Sequence, residues 1–144
     1  MNQNIARRNA VAWYHSVDVE GDVFAASPHR LIQLLMEGVI SKLSVAINSM
    51  ASSPRSTEDT QRIGECVSGA MDIIGELQAN LNIEAAVELT ADLDSLYTYM
   101  TMRLVEAHGQ HDAGGLVEVR ELMRELKLGW DAIDPTPSSL ANVG

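Results

Sequence analysis

Apolar residues recur along this chain at steps of three and four, the period of helices that bury one side. The stretch "ASPHRLIQLLMEGVISKL", residues 26–43, opens with a helix-start signal: Ser27 as N-cap and Pro28 where its missing N–H costs nothing. Leu31, Leu34, Leu35, Val39 and Leu43 then form one stripe, and the spacing predicts a helix over 28–50. Ile32, Met36, Ile40 and Ile47 make a second ridge beside it, one more than a surface helix needs. Gly38 is a small residue that lets another helix come close. "ASSPRS" breaks the pattern at 51–56, and Ser56 with Asp59 resembles a capping box. The next stripe is Ile63, Cys66, Val67, Ala70, Ile73, Ile74, Leu77 and Leu81, a seam suited to a bundle. After an interruption near "NIEAAV", Ala86, Leu89, Leu93, Leu96, Tyr97, Met100, Leu104 and Ala107 predict a further helix, with Gly109 as its C′ residue. Asp112 is the expected cap of the last helix, whose stripe runs Leu116, Val119, Leu122, Met123, Leu126, Trp130 and Ile133, before Asp134–Pro135.

Four long helices with short connections give the expected fold class: an all-α, antiparallel up-down bundle. Residues 1–17 carry only a loose helical rhythm and read as a short N-terminal helix or mobile lid. Residues 18–134 form the bundle domain and 135–144 a flexible tail.

Composition narrows the class. The 144 residues fit one domain, 46 % apolar but only 4 % aromatic, with the core left to Leu, Ala, Val, Ile and Met. A net charge of −10, with ten scattered Lys and Arg, argues against nucleic acid and against an anionic membrane surface. A single cysteine, Cys66, cannot make an internal disulfide. No apolar run approaches the about 18 residues of a spanning helix, and no targeting signal follows Arg7–Arg8. The expectation is a cytoplasmic protein without membrane insertion.

Catalytic and metal chemistry finds no support. A di-iron bundle needs Glu-x-x-His on two helices, and the residues three before His15, His29, His108 and His111 are Ala12, Ala26, Val105 and His108. The cluster Glu106, His108, His111 and Asp112 straddles a predicted helix end, where His108 meets the negative end of the helix dipole. Cys66 on an apolar seam reads as an inert thiol. No phosphate loop, zinc-protease or nucleophile-elbow motif is present. The chain is read as a non-enzyme without a cofactor.

Two stretches carry a family resemblance. "ASPHRLIQLLMEGVI" resembles the Ser-Pro-x-x-Leu-Ile-x-x-Leu-x-x-Gly signature of the flagellar export chaperones called FliS. "IIGELQANLNIEAAVELTADLDSLYTYMTMRLVEAH" is similar to that family's second stretch, which runs into Asn-Leu-x-x-Leu-Tyr-x-Tyr-Met. Tyr14 and Trp130 fit as well, so the likeness spans about residues 14–133. Met36–Glu37 stand where the family usually has Tyr-Asp, Ala85–Ala86 where it often has Gly-Gly, Asp92 for asparagine before Leu93, and His108 for a frequent asparagine.

The resemblance implies a bundle that captures the disordered C-terminal segment of flagellin in apolar grooves, prevents its polymerisation, and keeps it competent for type III export. It also implies docking at the export gate, and a Tyr14-bearing segment that folds over the groove. On that reading Leu31, Leu35, Val39 and Leu43 build the core. The partner-binding residues are then Tyr14, Ile32, Met36, Ile40, Ile47, Leu93 and Tyr97. Two other readings of the second ridge stand at this point: a centrally placed helix apolar on two faces, and the face of a weak homodimer in a self-associating bundle. A regulator of another flagellar protein is a further alternative.

Overall fold

A computed structural model describes residues 27–85 and 87–133. Its elements are α1 (Pro28–Met50), α2 (Thr57–Ala79), the single-turn α3 (Leu81–Glu84), α4 (Val87–Gly109) and α5 (Ala113–Asp131). The expected lid at 1–17, with Trp13 and Tyr14, and the expected tail at 135–144 lie outside the described residues.

The four long helices pack as a closed ring: α1 on α2, α2 on α4, α4 on α5 and α5 back on α1. Each pair runs antiparallel. Trp130 near the end of α5 donates from Nε1 to the His29 carbonyl at the start of α1, and Arg120 reaches Ser44 further along. Arg103 of α4 meets Glu118 of α5, and the Lys42 side chain of α1 lies over Gly69 of α2. The all-α up-down bundle read from the sequence is the observed fold.

Local chemistry sets the helix starts. Ser27 Oγ accepts from the Arg30 amide, with Pro28 in the first turn. Ser56 and Asp59 form a reciprocal capping box: the Asp59 amide donates to Ser56 Oγ, and the Ser56 amide to Asp59 Oδ2. The Ser56 amide first, and the Ser56 hydroxyl after it, hold the Asp59 carboxyl below its ordinary range.

The core takes Ile32, Leu35, Met36, Val39, Leu43, Ala46 and Met50 from α1, and Ile63, Val67, Ala70, Ile73, Ile74 and Leu77 from α2. Tyr97, Met100, Leu104 and Ala107 enter from α4, and Leu116, Val119, Met123 and Trp130 from α5. The two ridges of α1 are therefore not divided between interior and partner: Ile32 and Met36 are as buried as Leu35 and Val39, while Leu31, Ile40 and Ile47 pack against the cluster half-buried. The reason is position. α1 touches α2, α5 and α3 at once, so neighbours on several sides draw apolar residues onto more than one face. The same placement corrects the expectation about spanning segments. Over an 18-residue window α1 has a mean hydropathy of 1.4 and passes for a membrane helix by length and composition. In the bundle 44 % of that window is buried inside the protein, Ile32, Leu35, Met36, Val39 and Leu43 among it.

Three further expectations are corrected. Leu89, placed on the buried stripe, is 52 % exposed, and no side chain from Glu88 to Leu96 is fully buried. α4 supplies fully buried side chains only from Tyr97 onward, with Leu93 and Leu96 packed half-buried against the core before it. Ile133, the last residue of the α5 stripe, lies beyond the helix and is 50 % exposed. Gly109 is not the C′ residue. His111 takes that place at φ 54°, with its amide bonded to the His108 carbonyl and the Asp112 amide to the Ala107 carbonyl, the paired bonds of a Schellman motif. Asp112 does occupy the N-cap of α5, but its carboxylate binds Arg103 instead of a helix amide.

Candidate functional site

One end of the bundle is where the ring is least complete. The antiparallel register that sets Arg103 of α4 against Glu118 of α5 also brings Leu93 toward Leu126. In this stretch α4 supplies no fully buried side chain, so the two helices leave an apolar cleft between them. It is lined by Met36 of α1, Glu84 of α3, Leu93 of α4, Glu125, Leu126, Gly129 and Trp130 of α5, and Ile133. Its volume is about 200 Å³ and it opens to solvent. Small-molecule sites enclose roughly 300–1,000 Å³, so the cleft suits one or two apolar side chains better than a cofactor.

Its walls are held by specific bonds. Trp130 is fixed by the His29 carbonyl at 2.9 Å, and its ring stacks on the His29 imidazole with centroids 4.7 Å apart. Asp131 closes that corner by accepting from Gln33 Nε2 (2.8 Å) and Lys127 Nζ (2.7 Å), and the lysine first, then Gln33, keeps its carboxyl below the ordinary range. Beneath Leu93, the fully buried Tyr97 donates its hydroxyl to Glu84 Oε1. Burial pushes the Glu84 carboxyl up to about 7, although the Tyr97 hydrogen bond pulls the other way. Burial and the neighbouring carboxylate push the Tyr97 phenol up in turn.

The residues singled out from sequence as partner-binding scatter across these environments. Met36 and Leu93 line the cleft. Tyr97 and Ile32 are fully enclosed; Tyr97 supports the cleft from below through Glu84. Ile40 and Ile47 lie half-buried along α1, away from the cleft lining. Tyr14 lies outside the described residues. Glu84, Leu126, Gly129 and Trp130 were not singled out as site residues. An interruption between helices, two residues of the last stripe and a lone helical glycine give no signal of a shared wall until the helices are assembled.

The cluster at the α4–α5 turn is dispersed rather than convergent. Arg103 takes Glu106 (2.6 Å), Asp112 (3.1 Å) and Glu118 (2.9 Å), Tyr99 donates to Glu118, and His111 Nδ1 faces Arg55 at 3.4 Å. Among the described residues no three His, Cys, Asp or Glu side chains converge as metal ligands would. Cys66 is half-buried, and burial raises its thiol above the ordinary value.

Comparison with known proteins agrees with this architecture. A family profile described as Flagellar protein FliS matches residues 10–137. The flagellar secretion chaperone FliSB of Pseudomonas aeruginosa is 42 % identical over 124 residues, which are 86 % of this chain and 94 % of that protein. The flagellar secretion chaperone FliS of Vibrio cholerae is 34 % identical over 139 residues, 95 % of this chain and 98 % of that one. That of Salmonella typhimurium is 36 % identical over 126 residues, covering 87 % and 90 %. By this match over most of its length, the chain belongs to the FliS family.

Proposed function

We propose that this protein is a cytoplasmic flagellar secretion chaperone that binds the disordered C-terminal segment of flagellin, keeps it from polymerising, and holds it ready for type III export. The observation that carries the reading is the open apolar cleft beside Met36, between the first half of α4 and the last turns of α5. An apolar side chain moved from water into such a cleft gains roughly 1.5–3 kcal/mol, and ordering a disordered segment takes back several kcal/mol. Binding is then firm yet releasable, as a carrier requires. Met36 and Leu93 contact the segment, Ile40 and Ile47 extend the apolar track along α1, and Ile32 and Tyr97 shape the site from inside. The relatives named flagellar secretion chaperones support the role, and docking of the loaded complex at the export gate follows from it.

Gly129 supplies the test. A Cβ at this position meets nothing within 4 Å, and the residue lines the cleft. Gly129→Leu therefore places a large apolar side chain at the cleft wall from an unobstructed Cβ and gains up to about 1 kcal/mol of helix propensity. Titration with a flagellin C-terminal peptide should show tight binding by the parent chain and at least tenfold weaker binding by the variant, whose melting temperature is equal or higher. Equal affinity in both would remove the cleft from the site. A second reading, weak self-association through α4, is favoured by Met102 and Val105, which are 66 % and 56 % exposed on that helix. A mass that grows with protein concentration in sedimentation, and no 1:1 complex with the peptide, would support it.

A further inference from the structure

Among the described residues that line the cleft, the titratable ones are Glu84 and Glu125, and none is cationic. Apolar side chains make up most of the remaining wall, so a charge there relies on water entering the open cleft. The two acids differ in depth. Glu125 is exposed, whereas Glu84 is 9 % exposed and accepts the hydroxyl of the fully buried Tyr97 on Oε1. Burial favours the neutral form of Glu84 against the pull of that bond, and its carboxyl changes charge at about 7. The charged groups of the surrounding helices are occupied elsewhere. On α1, Arg30 lies 3.5 Å from Glu37, and the His29 ring is stacked on Trp130. On α5, Lys127 holds Asp131 at 2.7 Å. On α4, Asp94 accepts from Gln78, and Glu76 of α2 is not among the groups that act on the Glu84 carboxyl. What sets the charge of Glu84 is therefore how much water stands beside it.

We propose that filling the cleft is coupled to uptake of a proton by Glu84, so that the complex with the partner segment tightens as pH falls and loosens as it rises. This rests on the reading of the cleft as the partner site and adds how that site is regulated. An apolar side chain entering between Leu93 and Leu126 displaces water from a wall that Glu84 helps to form. No contact with the carboxyl is needed. Replacing water by hydrocarbon lowers the dielectric around the acid, which penalises the carboxylate and leaves the neutral form untouched. Well below pH 7 the free and the bound protein both hold the proton, and affinity is greatest. As pH climbs through 7 the free protein ionises first. Binding must then reload the proton, and affinity falls until the complex ionises as well. A carrier built in this way grips its cargo more firmly where protons are more plentiful.

The test is the pH dependence of affinity. The full chain, Glu84→Gln and Glu125→Gln are titrated calorimetrically with a flagellin C-terminal peptide from pH 5.5 to pH 8.5, in buffers of differing ionisation enthalpy. Parent affinity should fall by about threefold or more across this range, as a half-unit rise in pKa on binding dictates. The buffers should report uptake of a fraction of a proton near pH 7. Glu84→Gln keeps a carbonyl acceptor for Tyr97 but cannot ionise. Its affinity should be level with pH and exceed the parent's at pH 8.5, while Glu125→Gln keeps the parent's slope. Should Glu84→Gln fail to fold, the ¹³C shift of the Glu84 carboxyl in the parent decides: its titration midpoint must be higher with peptide than without. A parent affinity that stays level or rises with pH overturns the inference, as does a midpoint unmoved by peptide. So does a slope that survives in Glu84→Gln, as it will if His29 beside Trp130 carries it, or one that is lost in Glu125→Gln. In each of these cases the peptide still binds and the chaperone reading stands. If the parent protein does not bind the peptide at all, both fall.

Discussion

Glu84 sits where the chain turns from α3 into α4, and burial raises its pKa to about 7 from the 4.5 of an ordinary glutamate. The folded state therefore holds this proton more tightly than the unfolded chain. Below pH 4.5 both states keep it; as pH climbs toward 7 the unfolded chain ionises first, and stability falls by at most about 3 kcal/mol. Glu84→Gln removes the proton from the comparison. Denaturant melts of the two proteins at pH 5 and pH 8 should show the variant gaining on the parent as pH rises, whereas a constant difference would contradict the buried acid. His111 is the other costly residue. A left-handed backbone without glycine is strained by roughly 1 kcal/mol, so His111→Gly should raise stability by about 0.5–1 kcal/mol, visible as a higher melting temperature.

At the scale of elements, α4 and α5 are held by an unusually close approach near their shared turn. A Cβ on Gly115 would lie 2.5 Å from that of Ala107 and 2.9 Å from the Arg103 guanidinium carbon. Arg103 cannot yield easily, because Glu106, Asp112 and Glu118 fix its guanidinium. Alanine is the better helix former by up to about 1 kcal/mol, but the overpacking costs about 1–3 kcal/mol, so Gly115→Ala should lower the melting temperature. The pair is pinned at the turn and loosens toward the other end, where α4 has no fully buried residue before Tyr97. That asymmetry makes the cleft. It lies at the end opposite the tight turn, between the first half of α4 and the last turns of α5.

For the whole molecule, this means that protection is uneven around the ring. The amides of 97–107 lie under Tyr97, Met100, Leu104 and Ala107, all fully buried, while those of 88–96 rest on half-buried side chains such as Leu93 and Leu96, with Gln78 of α2 bonded to Asp94. Hydrogen exchange should be slowest in α1 and α2 and in the second half of α4, and measurably faster over 88–96. A bound peptide should slow the 88–96 amides more than those of α2. Uniform protection across α4 would show that its first half is as firmly packed as its second.

The number and order of the long helices, and the starts of α1 and α2, were legible in the chain because their signals are local: Ser27–Pro28, the Ser56–Asp59 box, and stripes repeating every three or four residues. The family was legible too, in the motifs around Ser27 and Tyr97. The candidate cleft was readable only in part. Met36 and Leu93 were singled out and do line the cleft, while Ile32 and Tyr97 carry the same apolar signal and are enclosed. Periodicity reports that a residue avoids water, not whether protein or an open cleft stands on its other side. Gly129 and Glu84 were silent for the complementary reason: what matters at each is open space or burial, and both come into being only when four helices from distant parts of the sequence close into a ring.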